Sequence, residues 1–133
     1  MSLFSVFGIS GSGMDAYQTW LDAISGNVAN LNDSGPTSQP AYQARSIQVS
    51  EAGTGQVGDG VKVTGVQLGS PQGTLAYDPQ NPLADANGMV RRPAIDLPGQ
   101  MVQLVMAERS YQANVNVITQ ARQAYESALG LRS

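Results

Sequence analysis

All seven prolines of the chain fall between positions 36 and 98 of its 133 residues (Pro36, Pro40, Pro71, Pro79, Pro82, Pro93 and Pro98). Proline removes a backbone donor and clashes with the preceding turn, so it breaks a helix interior. The distribution therefore predicts long helices at both ends and a β-rich or irregular stretch between them. The expected class is α+β. Three zones follow: an N-terminal helical segment over 1–33, a β-rich middle domain over 34–95 and a C-terminal helical segment over 96–133.

The first helix is expected from about Gly11 to Asn32, with Ser12 and Asp15 as a capping box and Asn32-Asp33-Ser34-Gly35-Pro36 as the stop. Met14, Tyr17, Leu21, Ile24, Val28 and Leu31 follow one another at alternating steps of three and four, which is a heptad seam. The adjacent stripe of Gly13, Ala16, Trp20, Ala23, Asn27 and Asn30 is mostly small or amide-bearing and could admit a second helix at close range. The last helix is expected from about Pro98 to Leu129, with Asp96 or Leu97 near its cap. Its seam reads Leu97, Met101, Leu104, Glu108, Tyr111, Val115, Ile118, Arg122, Tyr125 and Leu129, interrupted by charge at Glu108 and Arg122. A helix of that length runs on the order of 50 Å. A middle domain of this size cannot cover it, so the two ends are expected to form a coiled-coil-like region with partners outside the chain. Isolated amphipathic helices owe most of their stability to packing, so these are expected to order on assembly.

Short strands are expected in the middle. Ile47 and Val49 share a face, and Val61 and Val63 alternate before Val66 and Leu68 resume in the opposite phase across Gly65, the mark of a β-bulge. Leu75 and Tyr77 form another short strand, and Asn87-Gly88 before Met89-Val90 reads as a hairpin turn. The glycine-rich stretch Ala52–Gly60 is expected to be mobile.

The chain has no cysteine and no histidine, which excludes thiolate nucleophiles, disulfides, Cys/His zinc sites and histidine bases. A net charge of −3, with seven scattered basic residues, makes no nucleic-acid patch and no membrane-binding polybasic run. The N-terminus lacks the basic and apolar regions of a cleaved signal, and no apolar run is long enough to span a bilayer. No cofactor or metal is expected, and no nucleic-acid partner or membrane insertion.

Apparent chemical motifs reduce to structural ones. Gly11-Ser-Gly-Met-Asp-Ala16 has the spacing of a dinucleotide fingerprint, but no second strand ending in an acidic residue follows; helix entry explains it. Leu83-Ala-Asp85-Ala-Asn87-Gly88 has the look of a calcium loop, yet the first and twelfth positions would be Leu83 and Ala94, which cannot coordinate; a turn is expected. Asp78, Asp85, Asp96, Glu108 and Glu126 lie in turns or on helices with no sign of a shared cleft, so they read as solvated or capping groups. Serine has no histidine to activate it, and Lys62, the one lysine, makes no Ser-x-x-Lys pair. No catalytic residue is expected. Tyr17, Trp20, Tyr111 and Tyr125 lie on or beside the seams and read as intersubunit packing, with intramolecular core as the alternative.

Tyr77-Asp-Pro-Gln-Asn-Pro-Leu-Ala-Asp85-Ala-Asn-Gly-Met-Val90 resembles the segment characteristic of the FlgC family of flagellar basal-body rod proteins, with Tyr77, Asp78, Pro79, Asp85 and Gly88 as its marker positions. The run Gln100–Val115 resembles the terminal helix shared by flagellar rod and hook axial proteins. Ser25-Gly-Asn27-Val-Ala-Asn30-Leu-Asn32, followed by Pro40-Ala-Tyr42, is similar to their asparagine-rich helix end. The family usually has Ser-Asn where Gly26-Asn27 stands and threonine or a similar residue at Asp33. The resemblance implies a self-assembling subunit of the proximal rod, part of the drive shaft and export channel, carried to the cell envelope by the flagellar type III export apparatus without a cleaved signal. Its implied partners are copies of itself and other rod proteins. The assembly interface is then expected at Met14, Tyr17, Leu21, Ile24, Val28 and Leu31 on the first helix and at Met101, Leu104, Tyr111, Val115, Ile118, Tyr125 and Leu129 on the last, with Asn27, Asn30, Glu108 and Arg122 setting register. Another axial, hook-type or secretion-needle structural protein is the alternative, and a small soluble enzyme is a third reading that the missing site signatures disfavour.

Overall fold

The structure, a computed structural model, describes residues 3–53 and 58–130. In chain order it contains α1 (Leu3–Ala29), β1 (Arg45–Glu51), β2 (Val61–Leu68), β3 (Thr74–Tyr77), β4 (Met89–Arg92) and α2 (Leu97–Gly130). The α+β class and the two terminal helices are as expected. The chain forms two compact units, one from 1–21, 47–65 and 105–133, the other from 22–46 and 66–104. Each unit draws on both ends of the chain and on its middle, so the unit borders run across the three sequence zones.

The start of α1 corrects the sequence expectation. The helix is already formed at Leu3, upstream of Gly11. Ser12 is therefore not a cap: its hydroxyl donates back to the Ile9 carbonyl at 2.8 Å, the pattern of an interior helical serine. The same oxygen accepts from the Val61 amide at 3.1 Å, tying the first residue of β2 to α1. Helix α1 ends at Ala29, where the Asn30 side chain donates to the Gly26 carbonyl at 2.8 Å and turns take over. Helix α2 starts where Asp96 caps it: Oδ2 accepts from the Gly99 amide at 3.0 Å, and the Asp96 carbonyl accepts from Gln100. Pro98 sits harmlessly in that first turn, whose amides have no intrahelical partner in any case.

β1 and β2 form one two-stranded sheet and β3 and β4 another. The first is closed by Ala52 N to Gly60 O at 2.9 Å at one end and by Gly69 N to Ala44 O at 2.7 Å at the other. Between these two bonds β2 contains one residue more than β1. Side-chain bonds from Ser46 to the Gln67 carbonyl and from Thr64 to the Gln48 carbonyl bracket the extra residue to the stretch holding Gly65, where the switch of phase placed a bulge. Residues 54–57 of the glycine-rich stretch lie outside the described residues.

β3 and β4 are antiparallel with Thr74 opposite Arg92 and Tyr77 opposite Met89, and Gly35 bridges to Arg91 on the free side of β4. The connection corrects a second expectation: it is no two-residue hairpin but spans Asp78 to Gly88, with Asp78 N to Gly88 O at 2.8 Å at its neck. Asn87-Gly88 closes a four-residue turn from Asp85 inside this longer loop, Gly88 N donating to Asp85 O at 2.9 Å. Gly88 has φ of 75°, and a Cβ there would stand 2.9 Å from Tyr77, so only glycine fits.

Within the second unit Asn27 is the central polar group. It is 2% exposed, and both ends of its amide are satisfied. Its Nδ2 donates to the Arg45 carbonyl at 2.9 Å and to Gln100 Oε1 at 3.0 Å; its Oδ1 accepts from the Arg45 amide at 2.7 Å and from the Tyr42 hydroxyl at 3.3 Å. Asn27→Ala leaves both polar groups of Arg45 without this partner and should destabilise the fold by about 2–4 kcal/mol in urea unfolding. Asn27→Asp should fall in the same range, since a carboxylate can still accept but no longer donate to Arg45 or Gln100.

Candidate assembly interface

The buried side of α1 is the small and amide-bearing stripe. In the first unit Ser10, Gly13 and Ala16 are buried on α1, and Ala107 on α2. A Cβ on Gly13 would meet the Asn114 amide at 3.2 Å, so glycine there allows an amide of α2 to lie directly on the α1 backbone. In the second unit Ala23, Ile24 and Asn27 are buried on α1, and Val90 of β4 is fully buried.

The heptad seams divide differently. On α1, Ile24 is buried, while Met14, Tyr17, Leu21 and Val28 are half-buried; Leu31, also half-buried, falls in the turn after Ala29 and not on the helix expected to reach Asn32. On α2, Leu104, Tyr111, Val115 and Ile118 are half-buried, whereas Met101, Tyr125 and Leu129 are exposed. Sequence reasoning missed a further set: Val102, 61% exposed, and Met106, 54% exposed, together with exposed Val105 and Val117. At 3.6 residues per turn, Val102, Val105 and Met106 stand on the side of α2 turned away from buried Ala107. A count of apolar residues off the seam would have found them.

Tyr17 and Trp20 have ring centroids 6.1 Å apart at 31°, a tilted aromatic pair. With Ala16, Ile47, Val49 and Val61 they line an apolar groove of about 260 Å³. All six residues belong to the first unit.

The register candidates have distinct surroundings. Asn27 and Asn30 make the bonds described above. Glu108 is exposed, and Arg122 pairs with Glu126 at 2.8 Å, one turn along the exposed side of α2. The remaining carboxylates also do structural work: Asp78 pairs with Arg92 at 3.4 Å and receives the Asn81 amide, and Asp96 caps α2. No group of three metal-binding side chains occurs among the described residues, and no described helix is long and apolar enough to cross a membrane.

Of the marker positions, Asp85 is the most heavily bonded. Its Oδ1 accepts from the Asn87 amide at 2.9 Å and the Met89 amide at 3.0 Å, and its Oδ2 accepts from the Thr37 hydroxyl at 3.1 Å. Arg91 reinforces the same junction, its guanidinium donating to the carbonyls of Thr37 and Gln72. The backbone amide of Met89 holds the Asp85 carboxyl below its ordinary pKa; desolvation opposes it, and the Asn87 amide and the Thr37 hydroxyl add smaller lowering effects. A depressed carboxyl pKa stabilises the fold above its unfolded value, and the effect is lost as pH falls through the folded value. In an acid titration followed by NMR, Asp85 should therefore titrate below the reference value of 3.8, with the Met89 amide losing protection as it protonates.

Residues 86–131 match the family described as flagellar basal body rod FlgEFG protein, C-terminal. The chain is 43% identical to the flagellar basal-body rod protein FlgC of Salmonella typhimurium over 121 residues, which cover 89% of each chain. It is 34% identical to that of Agrobacterium fabrum, covering 92% of this chain and 90% of the relative, and 28% identical to that of Bacillus subtilis, covering 97% of each.

Proposed function

The chain belongs to the FlgC family of flagellar basal-body rod proteins, and we propose that it joins the rod through its two long helices. It is a structural subunit of the basal-body rod and not an enzyme. The observation that carries the helical reading is the apolar surface of α2: Val102, Val105, Met106, Val117, Tyr125 and Leu129 are all exposed in the single chain. Scattered apolar residues on a surface are ordinary, but Val102, Val105 and Met106 gather on one side of α2, and such a row is arranged to be covered by others.

In this reading the segments 1–33 and 96–133 are the assembly segments and 34–95 lies beside them. Contacts between copies are heterologous: the apolar side of α2 meets a different surface of the next subunit, and repetition of such a contact builds a helical array rather than a closed dimer. Long helices packed side by side then make the stiff element of a drive shaft around a channel. Export to the cell envelope through the type III apparatus belongs to the same reading and rests on the family resemblance. Other rod proteins are the neighbours. Glu108 and Arg122 would penalise misregistered neighbours, since a charge facing an apolar row costs desolvation.

Val102→Glu and Met106→Glu test this reading, because both side chains are exposed and their replacement leaves the monomer fold untouched. Incorporation into rods, measured by complementation of a non-motile deletion strain and by recovery in basal bodies, should fall at least about tenfold for each, the equivalent of about 1.4 kcal/mol. Far-UV circular dichroism of the purified variants should be unchanged. Normal incorporation of both variants would refute a role for this side of α2.

A further inference from the structure

We propose that Asn87-Gly88 is a latent self-modification site, a succinimide-forming pair that the Asp85 turn holds closed. The inference is independent of the rod reading. It starts from the conformation of Gly88, whose φ of 75° and lack of room for a Cβ oblige glycine at this position. Asparagine at 87 is not obliged in the same way: no non-glycine residue among those described has positive φ, and the Asn87 side chain is exposed with no hydrogen bond of its own among them. The fold thus presents, on its surface, the dipeptide in which a backbone nitrogen with no flanking side chain follows a side-chain amide.

The chemistry requires nothing beyond water. The Gly88 backbone nitrogen attacks Asn87 Cγ and gives its proton to solvent; the N–Cγ bond forms as the side-chain nitrogen leaves as ammonia. Water then opens the five-membered imide at either carbonyl, yielding aspartate or isoaspartate. The second product routes the main chain through the side-chain carbon, which adds a methylene to the loop and a carboxylate beside Asp85.

In the folded chain the nucleophile is engaged. Gly88 N donates to the Asp85 carbonyl at 2.9 Å, Gly88 O accepts from Asp78, and the neighbouring Asn87 and Met89 amides both donate to Asp85 Oδ1. To reach Cγ, the nitrogen must give up its bond and the Asn87–Gly88 peptide must rotate out of the turn. Thr37 and Met89 hold Asp85 in place from outside the turn, so that rotation requires local opening. Asp85 thereby acts as a positioning residue that suppresses the reaction, and lability is unmasked in chains that are unfolded or locally open.

The test follows the full-length protein at mildly alkaline pH and 37 °C, native and in denaturant, with tryptic mass mapping and enzymatic isoaspartate labelling of the peptide ending at Arg91. The native chain should convert at Asn87 at least about tenfold more slowly than the denatured one, as expected for a reaction gated by local opening. Asp85→Ala, if folded by circular dichroism, should approach the denatured rate, Asp85→Asn, which keeps an acceptor for both amides, should remain slow, and Asn87→Ser should abolish the signal. Should Asp85→Ala not fold, the native and denatured wild-type rates decide the matter alone. No conversion at Asn87 in denaturant overturns the site, and equal native and denatured rates, or a slow folded Asp85→Ala, overturn the closure by Asp85.

Discussion

The second unit is organised by the side-chain amide of Asn27 acting as a peptide group. A carboxamide offers one acceptor and a pair of donors in a plane, which matches the N–H and C=O of an extended residue. Asn27 presents that plane to Arg45, the first residue of β1, and takes both of its backbone bonds. A strand edge that would otherwise need another strand is satisfied by a helix. The remaining donor reaches Gln100 on the first turns of α2, and the acceptor also receives Tyr42. One residue of α1 therefore sets where β1 starts and which side of α2 faces it. Because the group is buried, each unmet partner carries a desolvation cost of about 1–3 kcal/mol, which makes the arrangement specific as well as stable.

The polar centre has a consequence for what lies outside. Small and amide side chains pack where helices meet the rest of their unit, as at Gly13 with Asn114 and at Ala107. On α2 the seam residues Leu104, Tyr111, Val115 and Ile118 are half-buried on the side of Ala107, while Val102, Val105 and Met106 stand exposed. Covering those three would add stability, since burying a large aliphatic or methionine side chain contributes about 1.5–3 kcal/mol. In the proposed assembly that energy goes to the contact between subunits. The carboxylates fit the same division of labour: Asp85 and Asp96 accept backbone amides, and Asp78 and Glu126 pair with arginines.

Much of the architecture was legible in the residues. The proline distribution located the two helices, the Asp96-Leu97-Pro98 sequence marked the start of α2, and the change of phase at Gly65 located the extra residue in β2. Where the reading departed from the fold, a local signal had a second use. Ser12 has the side chain of a cap, but a serine inside a helix can bond its own preceding turn, and here its hydroxyl also receives the β2 amide. Asn87-Gly88 has the chemistry of a tight hairpin, and it does close a turn, but the strands it serves are joined through Asp78 as well. The heptad seams marked the apolar rows without revealing which side of each helix the chain covers for itself.

The sequence by itself determined the order of the elements and the lack of thiol and imidazole chemistry, because both depend on local properties: proline's missing donor, glycine's freedom at Gly88, and a composition without histidine or cysteine. Tertiary structure alone decided which stripe of each helix is inside. The periodicity of Met14, Tyr17 and Leu21 and the stripe of Gly13, Ala16 and Asn27 are both compatible with burial. The choice rests on long-range partners, 18 residues away for Arg45 and 73 for Gln100, whose hydrogen bonds to Asn27 favour the polar stripe. That choice turns Val102 and Met106 outward. No local propensity contains it, since it exists only once α1, β1 and α2 meet at one buried amide.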